Sequence, residues 1–127
     1  MFIAIDMEDR RPIYRQIADG IKGLIAKGEL RQGIALPPVR QLAADLGVNL
    51  NTIATAYREL QEEGLLAVKH GSGAVVASRT VSEPANKDEL RRPLRTALTQ
   101  LILAGLPRTE IVSIVNDELR GLMKGAK

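Results

Sequence analysis

Val39–Leu46 (VRQLAADL) and Leu50–Glu63 (LNTIATAYRELQEE) are joined by Gly47-Val48-Asn49 alone. In the first segment Val39, Leu42, Ala43 and Leu46 recur at helical spacing, and in the second Ile53, Ala56, Tyr57 and Leu60 do. Gly47 follows the last periodic residue of the first, where a helix commonly ends in a left-handed glycine. Asn49 stands where the second needs an N-cap, because its side-chain oxygen can accept from an orphan amide. Two short amphipathic helices joined this closely predict a helix-turn-helix. Away from its apolar stripe the second helix carries Asn51, Thr52, Thr55, Arg58 and Glu59.

Working outward, Pro37-Pro38 punctuates the chain before this pair. Upstream, Ile13, Ile17, Ile21, Leu24 and Ile25 form one more apolar stripe, opened by Pro12 at the first helical position and closed by Gly28 and the Gly33 region. Phe2 to Ile5 is a short apolar run compatible with an edge strand. Downstream, Gly64 ends the third helix. Two β-rich runs, Leu65–Val68 and Ala74–Ala77, flank His70-Gly71-Ser72-Gly73, a glycine-bearing connection that signals a hairpin. Three helices followed by a hairpin is the order of a winged helix-turn-helix. The expected fold is therefore mainly α with a small β-wing, occupying residues 1–78.

Residues 79–88 lapse into Ser, Thr, Glu, Pro and Asn and read as a linker. In 89–127 a fourth helix runs to about Ala104, with Pro93 near its first turn. A break at Gly105-Leu106-Pro107 follows, then a fifth helix that frays at Gly121 and Gly125. Two amphipathic helices alone enclose little apolar surface, so their stripes are expected to meet an identical pair. Leu94, Leu98, Leu101, Ile102, Ile111, Val115 and Leu119 are the residues expected at that homodimer interface.

Composition narrows the function. In 127 residues 45% are hydrophobic and 26% charged, enough for a globular core. Aromatics supply only 2%, which argues against recognition by base stacking. There is no cysteine and a single histidine, His70, so no disulfide scaffold, zinc–thiolate site or Cys-His pair can be assembled. Neither a cofactor nor a metal ion is expected. No apolar run approaches the ~20 residues that span a bilayer. The N-terminus carries Asp6, Glu8 and Asp9 in place of a signal's apolar region, so the expected location is cytoplasmic. Net charge is only +3, yet residues 64–82 hold no acid while including Lys69, His70 and Arg79. Such a segment can approach a phosphate backbone.

Several of these residues resemble the GntR family of bacterial transcriptional regulators. The resemblance is carried by Pro12-Ile13-Tyr14-Arg15-Gln16-Ile17, Gly28-Glu29-Leu30, Gly33, Leu36-Pro37, Arg40-Gln41-Leu42-Ala43, Leu46-Gly47-Val48, Asn51-Thr52, Leu60, Glu63-Gly64-Leu65 and Gly71-Ser72-Gly73. It covers Pro12 to about Val76, and the short tail is similar to that of the YtrA subfamily. The resemblance implies a dimeric repressor on an inverted-repeat, double-stranded operator, with a transporter operon and its own gene as targets. It implies DNA contacts from Arg40, from Asn49, Leu50, Asn51 and Thr52 at the start of the recognition helix, and from Lys69, His70 and Gly71 at the wing. The chain departs from the family where Pro38-Val39 replaces the usual Ser and following Glu or Val. It departs again at Leu50, where arginine is frequent. That exchange removes a guanine contact worth about 1–3 kcal/mol of discrimination.

Plainer roles compete with these. Arg40 can pack its stem on a helix, Asn49 can serve as a cap alone, and Asn51 and Thr52 can simply be solvated. Arg58 reads as a surface charge near Glu62. His70 lacks the second histidine or cysteine that catalysis or metal binding would need. Glu62-Glu63 and Asp88-Glu89 are adjacent in sequence and point apart on a helix, so no enzyme is expected. The alternative function is a protein-interaction module on a winged-helix scaffold. No effector and no operator sequence is legible.

Overall fold

A computed structural model of the chain describes residues 3–69, 73–77 and 87–123. It divides into two units, one holding three helices and a hairpin, the other two helices.

In the first unit α1 (Ile13–Lys27), α2 (Val39–Leu46) and α3 (Leu50–Glu62) precede β1 (Leu66–Lys69) and β2 (Gly73–Val76). The apolar stripes converge on one core in which Ile17, Ile21, Ile53 and Leu60 are fully buried. Leu36, Leu42, Leu66 and Val76 complete it. Burying each large aliphatic side chain stabilises the fold by about 1.5–3 kcal/mol. With so few aromatics, branched aliphatics do nearly all of this work.

The helix ends follow their residues. α2 closes on Gly47 at φ 68°, a left-handed conformation that costs an L side chain roughly 1–2 kcal/mol. The Val48 amide donates to Ala43 O at 3.0 Å, which turns the chain directly into α3. Pro12 and Pro38 lie one residue outside their helices as N-caps, with extended ψ values of 149° and 152°. Pro12 therefore precedes the first helical position instead of occupying it.

The apolar run Phe2–Ile5 does not form a strand over its described residues, and Phe2 lies outside them. The backbone there is bound by a side chain. The Asp6 amide donates to Gln16 Oε1 at 2.9 Å, and Gln16 Nε2 donates to Asp6 O at 3.1 Å. Ile3 is nonetheless buried. It packs on α1 where Gly20 has no side chain, and a Cβ there would lie 3.1 Å from Ile3 Cγ2.

β1 and β2 are antiparallel, pairing Leu66 with Val76 and Lys69 with Gly73. Each is displaced by one residue from the expected runs. The sheet also gains a partner that the sequence pattern does not announce, since Ala35 bridges Val75. The Leu36 amide donates to Ala74 O at 2.8 Å, and the Val76 amide to Ile34 O at 2.9 Å. These bonds anchor the hairpin to the segment entering α2, giving a winged helix-turn-helix. The hairpin tip, His70 to Ser72, lies outside the described residues.

The second unit comprises α4 (Lys87–Leu103) and α5 (Arg108–Leu122), which pack on each other. α4 begins two residues inside the stretch read as linker, and Asp88 and Glu89 complement its N-terminal dipole. Pro93 lies within the helix, beyond the first turn, where it forgoes one main-chain hydrogen bond. α5 continues through Gly121 to Leu122, so its end is set one residue past the expected fraying point. Among the described residues of this unit no side chain is buried, and its large apolar groups stand open.

Candidate nucleic-acid interface

The outer surface of α2 and α3 is positioned by contacts made on their inner side. α3 is held to α1 by two ion pairs. Arg15 Nη1 lies 3.2 Å from Glu59 Oε2, and Lys22 Nζ lies 2.8 Å from Glu63 Oε1. These exposed or half-exposed pairs add little stability. Their consequence is electrostatic, because they turn two acids of α3 toward α1 and neutralise them. From Leu50 to Arg58 the helix carries no acid at all.

Tyr57 fixes the other side. Its hydroxyl donates to Pro37 O at 2.6 Å, tying the middle of α3 to the proline pair that opens α2. Burial pushes the Tyr57 phenol up to about 12 from its usual 10. The folded chain thus favours the neutral phenol. The resulting stability is fully present below pH 10 and is lost as pH rises toward 12. Urea midpoints should fall more steeply between pH 9.5 and 11.5 for the natural chain than for Tyr57→Phe, by up to about 2 kcal/mol. Parallel pH profiles would refute the tie.

Asn49 caps α3, its Oδ1 accepting the Asn51 amide at 2.8 Å. The amide nitrogen of the same side chain is left to donate outward, so capping and an anion contact are compatible. Leu50 and Asn51 are exposed. Thr52 is half-buried, because a step of about 100° per residue carries it round the helix from Asn51 toward the α1 side. Arg40, in the first turn of α2, is exposed and has no ion-pair or hydrogen-bond partner among the described residues. Arg58 is exposed at the far end of the same surface, where it donates to Thr55 Oγ1 at 3.3 Å. The fold thus gathers Arg40, Asn49, Leu50 and Asn51 on one helix pair, with Thr52 at its margin.

The remaining candidates belong to the wing. Lys69 ends β1, while His70 and Gly71 lie outside the described residues. Two contributors escaped the sequence reading, Ala54 on the exposed face of α3 and the Tyr57 tie. Helical spacing from Leu50 would have indicated the first, but a contact between residues twenty apart has no local signal.

No group of three or more potential metal-binding side chains occurs among the described residues. No helix among them is long and apolar enough to cross a membrane.

Residues 13–76 match the sequence profile of the bacterial regulatory proteins, gntR family. The chain is 30% identical over 127 residues to the HTH-type transcriptional repressor YtrA of Bacillus subtilis (strain 168), an alignment covering 98% of the chain and 97% of that relative. The crystal structure of a transcriptional antiterminator from Listeria monocytogenes EGD-e superposes with a TM-score of 0.86 at 28% identity. That superposition covers 97% of this chain and 93% of the other. The DBD of AraR in complex with operator ORE1 superposes with a TM-score of 0.52 at 28% identity, over 61% of this chain and 94% of its own.

Proposed function

This chain belongs to the GntR family of bacterial regulatory proteins and is a transcriptional regulator with a DNA-binding domain, and from that premise we propose that it is a homodimeric repressor of an inverted-repeat operator. Two winged units would place their α3 helices in the major groove, at half-sites about one helical turn, ~34 Å, apart or a multiple of it. Arg40 and the Asn49 end of α3 would hold phosphates, and Leu50, Asn51 and Thr52 would face base edges or the adjoining backbone. Lys69, His70 and Gly71 would enter the minor groove. Repression as the sign of regulation follows the YtrA relative, which resembles this chain over nearly its whole length.

The observation that carries the dimer is the openness of α4 and α5. Leu94 is 52% exposed, Ile102 62% and Leu119 47%, and no residue of either helix is buried. A twofold copy would cover these side chains with their own equivalents. Leu98, Leu101, Ile111 and Val115, already half-buried, would lie at the centre of that interface.

Footprinting upstream of the protein's own gene tests this reading. A protected inverted repeat should weaken steeply with salt, as displacement of counterions from phosphates requires. Arg40→Ala should lower affinity across sequences and reduce the slope of log K against log salt by about 1. Unchanged DNA binding by both Arg40→Ala and Thr52→Ala would favour a protein-interaction module instead.

A further inference from the structure

The first exposed side chain on α3 is a large apolar one. Leu50 is 38% exposed and stands outside the core, which takes Ile53, Ala56, Tyr57 and Leu60 from this helix. One turn on, at i+4 and so on the same flank, Ala54 is exposed as well. The next residue on that row is Arg58, the first charged residue of the helix. Its guanidinium is engaged with Thr55. The opening turns of α3 therefore present methyl groups, one amide and hydroxyls. They offer no guanidinium fork with which to bond guanine O6 and N7.

Thymine alone offers an apolar group among the base edges of the major groove, its C5-methyl. The N-terminal residues of a recognition helix are those that meet base edges. Asn51 adjoins the apolar row. Its main-chain amide is held by Asn49, while its exposed side-chain amide matches the N6 and N7 edge of adenine, thymine's complement. We infer that Leu50 and Ala54 form an apolar patch on α3 that reads thymine C5-methyl groups, selecting A·T pairs beneath the start of this helix. The inference rests on the DNA-binding reading and names what that surface recognises. Leu50 is then a specificity-determining residue with its own positive preference, in the place where a guanine-reading arginine is missing.

The test begins with selection of duplexes from a random pool by the full chain. Each thymine of the selected half-sites is then replaced in turn by uracil, which lacks only the methyl group. For the natural chain, at least one replacement per half-site should weaken binding about fourfold, the value of one buried methyl. Leu50→Ala should bind thymine and uracil equally at that position. It should melt with the natural chain, because Leu50 lies outside the core. Half-sites without thymine, indifference to every replacement, or a Leu50→Ala chain that keeps full methyl sensitivity would each overturn the inference and leave DNA binding standing. Selection of no duplex at all would overturn the DNA-binding reading and the inference together.

Discussion

Leu98→Glu combined with Ile111→Glu is expected to yield a monomer that binds operator DNA about 10²- to 10⁴-fold more weakly. Both residues line an apolar groove of about 600 Å³ on the α4–α5 unit, together with Ile102, Leu106, Val112 and Val115. In a dimer each glutamate would face its symmetry mate or an apolar wall, and an ionised carboxylate cannot be buried there without a partner. Loss of the partner turns bivalent binding into a single half-site contact, which removes the effective concentration of the second winged unit. Sedimentation velocity should show half the natural mass, and gel shifts should show the loss of affinity. Circular dichroism should keep the signal of α1 to α3, since their core draws no residue from α4 or α5. A dimer that survives both substitutions, or a monomer with undiminished affinity, would refute the proposed assembly.

Ile53→Ala is expected to destabilise the winged unit by about 2–5 kcal/mol. Ile53 is fully buried on the inner face of α3, within a core shared by α1, α2 and the hairpin. The cavity could close only by moving helices that the Tyr57–Pro37 bond and the Arg15 and Lys22 pairs hold in place. A domain this small has total stability of only about 5–10 kcal/mol, so the transition should move by 10 °C or more, on the order of 4–8 °C per kcal/mol. Thermal denaturation measures the shift. A change below 1 kcal/mol would mean that Ile53 is not enclosed as described.

The helices were legible because their signals are local. Ile13, Ile17 and Ile21, or Ile53, Ala56, Tyr57 and Leu60, repeat at a spacing that only a helix turns to one side. Gly47 and Asn49 mark ends through their own conformational and hydrogen-bonding chemistry. Legibility failed wherever a distant partner decides. β1 and β2 start and stop according to the bonds they exchange, so inspection of each run alone missed both boundaries by one residue. Ala35 has no pattern of its own and becomes part of the sheet because Val75 is opposite it. Phe2–Ile5 has strand-like composition, but the Gln16 amide occupies the backbone at its end. For the site, Arg40, Asn49, Leu50, Asn51 and Thr52 were named chiefly from resemblance and helix polarity. Their separation into exposed Asn51 and half-buried Thr52 required the packing of α3 on α1.

The amino-acid sequence by itself determined the number and order of the helices, the turn between α2 and α3, the presence of a hairpin and the aliphatic character of the core. All of these follow from propensity and periodicity within a few turns of chain. Tertiary structure alone decided where the wing attaches, which acids of α3 are turned inward and neutralised, and how Tyr57 sets the entry to α2. It also decided that Leu50 and Ala54 stand outside the core while their helical neighbours fill it. These depend on groups brought together from twenty to forty residues away, whose energies exist only once the chain has closed on itself.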